Sequence, residues 1–398
     1  MQVLALNCGS SSVKFALFEV ASDAGERVEI VRGALDLATG PPMLRTTDEP
    51  RGIEFAGRAA GVEAVLEWLV ERGHLADGGP DVVAHRVVHG GVRFTEATRV
   101  DDEVRRAIEE ASRLAPLHNR AALDAIEVVT RRFPSVTQTA SFDTAFHRSM
   151  PERASRYAVP AALAEEHGLL RYGFHGLAHR SMVRWATEQQ RASGREAGRL
   201  ITLQLGAGCS AAAVFDGRSI DTSMGLTPLE GLMMATRSGD VDPAFANMAA
   251  RALETSTEEV ERILNYESGL LGVSGHSADL RVVLEAGRGG DARSALAVEM
   301  FCYRLRKQIG AYLAALGGAD AIVFGGGIGE HQPEVRRRAL EGLAWAGIEL
   351  EPAANEAASG GATISRGASR VAVLVASVDE ETELALDAAA VMSSVRRG

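Results

Sequence analysis

Apolar positions along the chain form short runs of strand length and longer amphipathic stretches, and the two kinds alternate. An apolar run at residues 3–7, a small-residue segment at 8–12 and an alternating segment at 13–20 predict a β-hairpin. Further strands are predicted at residues 82–88, 136–141, 321–324 and 371–377. Helical periodicity is found at residues 61–72, 101–114, 120–132, 243–254, 257–266, 291–316, 334–346 and 381–395. The alternation of strands and helices predicts an α/β class.

The second half of the chain repeats the opening pattern. Residues 4–12 align without gaps with residues 201–209, and each copy consists of a strand, a small-residue loop and a second strand. A repeat at so long a separation predicts a duplicated domain rather than a solenoid. The expected division is an N-terminal domain of residues 1–147 plus 381–398 and a C-terminal domain of residues 148–380.

Composition narrows the class of protein. The 398 residues include 42 Lys and Arg against 53 Asp and Glu, a net charge of −11, which argues against nucleic-acid binding. No apolar run reaches the ~18 residues of a membrane span, and no basic segment precedes the first strand, so we expect neither a membrane protein nor a signal peptide. The three cysteines are far apart, which fits the reducing cytoplasm. Lys14 and Lys307 are the only lysines, so Lys14 is a candidate for a specific contact, although chance retention explains it equally well.

Three small-residue loops each follow a strand, at residues 8–12, 206–208 and 325–329. Such loops let backbone N–H groups approach phosphate oxygens without a Cβ in the way. Any one of them could be an ordinary tight turn, but three at strand ends in a duplicated fold favour phosphate binding. None has the P-loop pattern, and none has the GxGxxG pattern of a dinucleotide-binding fold.

Two arginines lie in segments whose other residues are mostly apolar or small. Arg86 lies within the predicted strand at 82–88, and Arg237 lies in a turn-like stretch. A buried arginine requires an anionic partner. That partner could be a structural carboxylate, or it could be a bound carboxylate or phosphate that the guanidinium fork recognises. The sequence leaves both explanations open.

The other polar candidates have equally ordinary explanations. Asp143 follows a predicted strand and could be a helix N-cap. His118 and His175 lie among apolar residues, where a histidine is more often a hydrogen-bonded core residue. His85 and His89 would point to the same side of one strand, but a third metal ligand is missing from the pattern.

Nine short motifs, taken in their order along nearly the whole chain, resemble those of the acetate kinase family. The motifs are NCGSSSVK at 7–14, HRVVHGG at 85–91, LHN at 117–119, FDTAFH at 142–147, YGFHG at 172–176, DTSMGLTPLEG at 221–231, TRSGD at 236–240, DLR at 279–281 and GGIGE at 326–330. Each alone is weak, but the ordered set is specific. The resemblance implies two duplicated actin- and sugar-kinase-like α/β domains with a nucleotide cleft between them, the C-terminal domain binding the nucleotide. It also implies a homodimer that phosphorylates a short carboxylic acid with ATP.

The resemblance implies roles for individual residues. The catalytic ones would be Asp143, Arg86, Arg237 and His175, with the arginines on the acid and the transferring phosphoryl group and His175 stabilising the transition state. Mg²⁺, for which Mn²⁺ can substitute, would be bound by Asn7 and Glu380. The acid pocket would be formed by Arg86, Val88, Leu117, His118, Phe174 and Pro228. ATP would be bound by Lys14, Ser10, Ser12, Gln204, Leu205, Gly206, Ala207, Gly208, Asp279, Leu280, Arg281, Gly327, Ile328, Gly329, Glu330 and His331.

Such chemistry needs positive charge more than it needs a base. A carboxylate nucleophile is already ionised at pH 7. The protein must therefore supply in-line positioning and positive charge around the phosphoryl oxygens. For this reason we expect Asp143 to orient metal-bound water or an arginine rather than to accept a proton.

The chain departs from the family pattern in a few places. Gln204 and Ala207 stand where the family usually has His and Asn. The pairs 177–178 and 378–379 are Leu-Ala and Val-Asp instead of Thr-Ser and Thr-Asn. These changes bear on rate and nucleotide affinity more than on reaction type. The main hypothesis is phosphorylation of acetate to acetyl phosphate. The alternatives are a kinase for propionate or another short-chain carboxylate, and a weakly active nucleotide-binding relative.

Overall fold

The computed structural model describes residues 1–9, 12–21, 26–36, 43–46, 51–52, 58–112 and 116–395, without the side chains of residues 51–52, 58, 116–118 and 395. The chain divides into two compact units. The first comprises Met1–Phe146 and Asp379–Gly398, and the second comprises His147–Val378. No helix among the described residues is both long enough and apolar enough to cross a membrane.

The first unit is built on a mixed sheet. Its strands are β1 (Gln2–Cys8), β2 (Ser12–Val20), β3 (Arg27–Asp36), β4 (Met43–Thr46), β5 (Arg51–Gly52), β6 (Val82–Val87), β7 (Thr98–Arg99) and β8 (Thr137–Phe142), in the order β5-β4-β3-β2-β1-β6-β8-β7. Its helices are α1 (Arg58–Glu71), α2 (Asp102–Ala111) and α3 (Pro116–Arg132), and a 3₁₀ helix, Ala145–Ser149, follows β8. β1, β6 and β8 are parallel to one another, so their carboxyl ends lie at one edge of the sheet.

The predicted N-terminal hairpin is present. β1 and β2 pair antiparallel from Gln2 opposite Glu19 to Cys8 opposite Val13. The interior of β1 is continuously buried, because central strands covered on both faces are apolar throughout rather than alternating. Leu4 and Leu6 belong to one core cluster with residues of α1 and α3, such as Leu66.

The second unit carries a second mixed sheet. Its strands are β9 (Arg199–Leu205), β10 (Cys209–Phe215), β11 (Arg218–Thr222), β12 (Ala321–Gly325), β13 (Ala362–Thr363) and β14 (Ala372–Val375), in the order β11-β10-β9-β12-β14-β13. Its helices are α4 (Glu152–Ser155), α5 (Ala161–His167), α6 (Gly176–Ala192), α7 (Phe245–Ala252), α8 (Thr257–Tyr266), α9 (Gly269–Ser274), α10 (Leu280–Arg288), α11 (Ala292–Leu316), α12 (Gly326–His331), α13 (Pro333–Leu340) and α14 (Pro352–Ala357), with a 3₁₀ helix at Ala344–Ala346. The last helix, α15 (Glu380–Val395), belongs to the first unit.

The duplication predicted from the sequence is visible in the topology. β3-β2-β1-β6-β8 in one unit and β11-β10-β9-β12-β14 in the other have the same order. In each, the first hairpin is antiparallel and the crossover strands are parallel. Because the repeat preserves both order and direction, the two sheets present equivalent edges where their parallel strands end.

Two local predictions were wrong. Residues 325–329 are not a loop, because α12 begins at Gly326, directly after β12. Gly326 has φ +73°, and a Cβ there would lie 2.5 Å from the Leu205 carbonyl oxygen, so only glycine permits this sharp transition. The helix predicted at 334–346 ends at Leu340, and Gly342 follows with φ +80°, which favours termination.

Candidate functional site

In the first unit, three predicted residues meet where parallel strands end. Asn7 lies near the end of β1, Arg86 near the end of β6, and Asp143 directly after β8. Arg86 Nη2 lies 2.6 Å from Asp143 Oδ2, Nε is also in hydrogen-bonding range of both carboxylate oxygens, and Nη1 donates to Asn7 Oδ1 at 3.0 Å. The carboxyl ends of parallel strands are where α/β folds usually bind ligands.

Burial and the neighbouring negative charges have opposite effects on the pKa of Arg86. Burial alone would lower its pKa, but the negative charges of Asp143 and Glu380 outweigh burial and raise the pKa above its ordinary value. Asp143 is fully buried, whereas 17% of the Arg86 side chain is exposed. The pair therefore keeps a permanent cation, partly exposed, at the edge of the sheet.

Two acidic residues at the start of α15 join this group. Asn7 Nδ2 donates to Glu380 Oε2 at 2.7 Å and to Glu381 Oε1 at 3.1 Å. Burial, together with the charge of Glu380, raises the pKa of Glu381. Arg32 on β3 pairs with Glu381 at 3.0 Å and with Asp379 at 2.8 Å, and it partly compensates this acidic group.

The donor set near Asn7 suits a hard divalent cation. It consists of an amide oxygen and the carboxylates of Glu380, Glu381 and Asp143, and oxygen ligands are those that Mg²⁺ prefers. Within the described part of the chain, no group of three or more His, Cys, Asp or Glu side chains is arranged to hold a metal by itself.

The other predicted residues of this unit are placed less centrally. Lys14 pairs with Asn7 across the β1–β2 hairpin and is exposed, while Ser12 begins β2 and Val88 follows β6, both half-buried. Ser10 lies outside the described residues. The side chains of Leu117 and His118 lie outside them as well, although their backbone is in the first turn of α3.

In the second unit, His175 and Arg237 border Gly208. A Cβ at Gly208 would lie 3.4 Å from His175 Nε2 and 3.5 Å from Arg237 Nη1. Glycine at this position therefore leaves the approach to both donors open. His175 immediately precedes α6, in a left-handed conformation with φ +58° that is uncommon for a residue with a side chain.

Arg237 is a half-buried cation. Its Nη1 donates to the Pro228 carbonyl oxygen at 3.1 Å and lies 3.6 Å from the Met234 sulfur. Within the second unit, all of which the structure describes, no carboxylate lies within ion-pair distance of Arg237, and burial lowers its pKa. A buried guanidinium that is bonded only to neutral groups retains the capacity to bind an anion.

Eight of the residues predicted to bind the nucleotide line one cavity of about 500 Å³ in the second unit, a size suited to a small ligand. They are Gly206, Ala207, Asp279, Leu280, Arg281, Gly327, Ile328 and His331. Asp279 caps the N-terminus of α10, and its hydrogen bonds with Arg281 lower its pKa.

The remaining predicted residues of the second unit do not line this cavity. Leu205 is fully buried at the end of β9, and the Gly329 carbonyl accepts from Arg336 at 2.9 Å. Glu330 accepts a hydrogen bond from Ser377 at 2.9 Å. The side-chain oxygen of Gln204, one of the departures from the family pattern, is buried without a hydrogen-bond partner among the described residues. Phe174 is buried beside His147, whose Nε2 lies 3.0 Å from the Phe174 carbonyl oxygen.

Buried histidines outside the predicted sites give a pH-dependent stability. Burial lowers the pKa of His85 and of His147 to about 4. The unfolded chain binds a proton on each near pH 6.5, whereas the folded chain binds it only near pH 4. Each therefore lowers the free energy of unfolding by ~1.4 kcal/mol per pH unit as the pH falls from about 6.5 towards 4.

We expect His85→Leu to reduce the dependence of the unfolding free energy on pH, because it removes one of these protonation differences. Urea unfolding of the parent protein and the variant at about pH 7 and about pH 5.5 measures it. His167→Gln, at an exposed histidine, serves as the matched control and should leave the slope unchanged. Equal slopes for the His85 variant and the parent protein would contradict the prediction.

Several residues near the candidate sites were given no role by the sequence analysis. Arg32 and Glu381 complete the ionic group of the first unit, and Asp379 accepts from the Thr382 backbone N–H at 3.1 Å at the start of α15. In the second unit, His179 lies one helical turn after His175. That spacing of four residues places both on one helix face, which was a usable hint.

Comparison with known proteins gives a consistent result. The profile of the Acetokinase family matches residues 2–386. The acetate kinase of Micrococcus luteus is 44% identical over 393 residues, covering 97% of this chain and 98% of that protein. The acetate kinase of Ectopseudomonas mendocina is 44% identical over 396 residues, covering 98% of each chain.

Solved structures agree. The acetate kinase of Porphyromonas gingivalis superposes with a TM-score of 0.87 at 37% identity, covering 98% of this chain and 99% of that chain. A propionate kinase of Francisella tularensis has a TM-score of 0.87 at 36% identity, covering 97% and 98%. The fold class and the resemblance predicted from the sequence are thereby confirmed. The chain belongs to the acetokinase family.

Proposed function

We propose that this protein catalyses the reversible, Mg²⁺-dependent transfer of the γ-phosphoryl group of ATP to acetate, which yields acetyl phosphate and ADP. Family membership supports the reaction class, a phosphotransfer to a carboxyl group. The observation that carries the proposal at the level of residues is Arg237, a half-buried cation that is bonded only to neutral groups of its unit and lies next to Gly208.

The first unit would hold the acid and the metal. Arg86 is held by its bonds to Asp143 and Asn7, and its remaining N–H capacity would bind the carboxylate of acetate. Asp143 keeps that guanidinium in place and needs no role as a base, since acetate is already ionised at pH 7. Asn7 and Glu380 would hold Mg²⁺, which neutralises phosphate charge when bound.

The second unit would hold the nucleotide and the phosphoryl group. Residues 279–281, Gly327, Ile328 and His331 line the cavity of about 500 Å³. Residues 279–281 and 327–331 would bind the adenosine, and the backbone around Gly206 and Gly208 would face the phosphates. Arg237 and His175 would then donate to the oxygens of the transferring group. Donors that are already in position cost no reorganisation when charge develops on those oxygens.

The test is direct formation of acyl phosphate. Purified protein is incubated with ATP, Mg²⁺ and acetate, propionate or butyrate, and the product is trapped as the hydroxamate. The proposal requires ATP-dependent hydroxamate with acetate, and a matched reaction with Arg237→Ala shows that the signal comes from this protein. The absence of product with all three acids would refute the proposal and favour a nucleotide-binding relative without kinase activity.

A preference for propionate is the second candidate, because a propionate kinase is among the structures that superpose at a TM-score of 0.87. We expect acetate to be preferred. Val88 is β-branched and therefore stiff, and it would occupy the space that a further methylene needs. One methylene in an apolar pocket discriminates by roughly 10–200-fold.

Val88→Ala is therefore expected to raise kcat/KM for propionate relative to acetate. The measurement is the ratio of the two kcat/KM values in the parent protein and the variant. Val92→Ala, at an exposed valine nearby in the chain, is the matched control and should leave the ratio unchanged. A parent ratio that already favours propionate would discard acetate as the substrate while leaving the acyl-phosphate chemistry in place.

We also propose that the protein works as a cytoplasmic homodimer. The family resemblance supports this. Exposed apolar side chains on α7, among them Phe245 and Met248, are consistent with a surface that a second copy covers. Light scattering coupled to size-exclusion chromatography distinguishes the dimer from a monomer.

A further inference from the structure

We propose that Thr202, His179 and Ser210 form a one-way hydrogen-bond relay that holds His175 as a neutral imidazole with its proton on Nε2. The catalytic consequence rests on the proposed function. The protonation pattern itself is a property of the folded chain and can be measured without turnover.

The relay is continuous and buried. His179 Nδ1 lies 2.8 Å from Thr202 Oγ1, His179 Nε2 lies 2.8 Å from Ser210 Oγ, and Ser210 Oγ lies 2.9 Å from His175 Nδ1. Thr202, His179 and Ser210 are each fully buried. Thr202 lies on β9 and Ser210 on the neighbouring strand β10. His175 is the residue before α6, and His179 lies in the first turn of that helix. Two strands and one helix therefore fix all three distances.

The Thr202 hydroxyl sets the direction in which the hydrogen bonds of the relay donate. Its hydroxyl must donate its proton to an acceptor, and in the second unit, which the structure describes completely, its side chain has only His179 Nδ1 as a partner. If His179 carried its proton on Nδ1, the buried Thr202 proton would have no acceptor, which is costly. The favoured arrangement is therefore donation from Thr202 to Nδ1 of His179.

The remaining steps follow from counting protons. With Nδ1 of His179 accepting, a neutral His179 carries its proton on Nε2 and donates to Ser210 Oγ. Burial lowers the pKa of His179 well below its ordinary value, so His179 is neutral at pH 7. Ser210 then has its own proton to donate, and His175 Nδ1 accepts it. A neutral His175 with an occupied Nδ1 must be protonated on Nε2.

This arrangement suits the position of His175. Nε2 is the ring nitrogen that, with Arg237 Nη1, borders Gly208. A second full positive charge beside Arg237 would be repelled, whereas a neutral N–H still donates to an anionic oxygen. Thr202, His179 and Ser210 are thus positioning residues, because they act on the phosphoryl group only through His175.

The direct test is nitrogen NMR of the protein labelled with ¹⁵N-histidine, in the absence of substrate. His175→Gln identifies the His175 signals. We expect an unprotonated Nδ1 and a protonated Nε2 for His175, and a protonated Nε2 for His179, at pH 7. A protonated Nδ1 on His175, alone or in an imidazolium, would overturn the relay whether or not the protein is a kinase.

A matched pair of variants tests the consequence. Thr202→Val removes the donor at nearly constant volume, and Thr202→Ser keeps it. We expect Thr202→Val to populate the Nδ1–H form of His175 and to lower kcat ~10–100-fold, with much smaller changes in KM, while Thr202→Ser retains both the NMR pattern and the rate. If Thr202→Val keeps the parent NMR pattern, Thr202 does not set the direction and the inference fails. If the pattern changes as expected but no variant or parent protein makes acyl phosphate, the relay stands and the proposed function fails.

Discussion

Arg237→Ala is expected to lower kcat ~10²–10³-fold while leaving the fold intact. The loss in rate follows from removing a positioned donor that would bind the transferring phosphoryl group. The fold should survive, because the Arg237 charge is buried against neutral groups of its unit and its desolvation already opposes folding. We expect the free energy of unfolding to fall by less than ~1 kcal/mol or to rise.

Steady-state kinetics and urea unfolding measure the two quantities on one preparation. Arg237→Lys restores the charge but not the fork, and it should recover only part of the rate. Added guanidinium should rescue Arg237→Ala, since it can occupy the space of the lost group. Arg262→Ala, at an exposed arginine paired with Glu259 and Glu267, is the control and should keep full activity. A loss in kcat of less than tenfold for Arg237→Ala would remove this residue from the mechanism.

Arg86→Ala is expected to damage both activity and stability. The rate should fall ~10²–10³-fold, because the guanidinium would bind the acid and the reacting group. The free energy of unfolding should fall by ~3–5 kcal/mol, because Arg86 is paired at 2.6 Å with the fully buried carboxylate of Asp143 and breaking a buried ion pair is strongly destabilising. We therefore expect the Arg86→Ala variant to lose stability and the Arg237→Ala variant to keep it, although both variants lose activity.

A second variant separates the two effects. Arg86→Leu combined with Asp143→Asn removes both charges, so much of the lost stability should return while the activity stays low. Thermal and urea unfolding, measured together with kcat, distinguish a loss of stability from a loss of catalysis. Recovery of activity in the double variant would show that the pair is structural only. An Arg86→Ala protein as stable as the parent would show that Asp143 is not held by this arginine.

The amino-acid sequence by itself determined the class of fold, the duplication and most of the chemistry. Alternating strand and helix patterns suffice for an α/β class, because side-chain periodicity reports which face is buried. The repeat at residues 4–12 and 201–209 predicted two equivalent sheets, and both are present. Local predictions failed where the backbone conformation of one residue determines the structure. At Gly326, a positive φ allows a helix to begin in a segment whose composition is typical of a loop.

Only the tertiary structure decided which explanation of each polar residue applies. The sequence left Arg86 and Arg237 equivalent. The fold places Arg86 against Asp143 and leaves Arg237 against carbonyl oxygen and sulfur within its unit, because a partner distant in the chain becomes a neighbour only through strand order. For the same reason the relay from Thr202 to His175 is invisible in the sequence. Its members come from two strands and a helix, and the direction of its protons depends on burial, which no local pattern encodes.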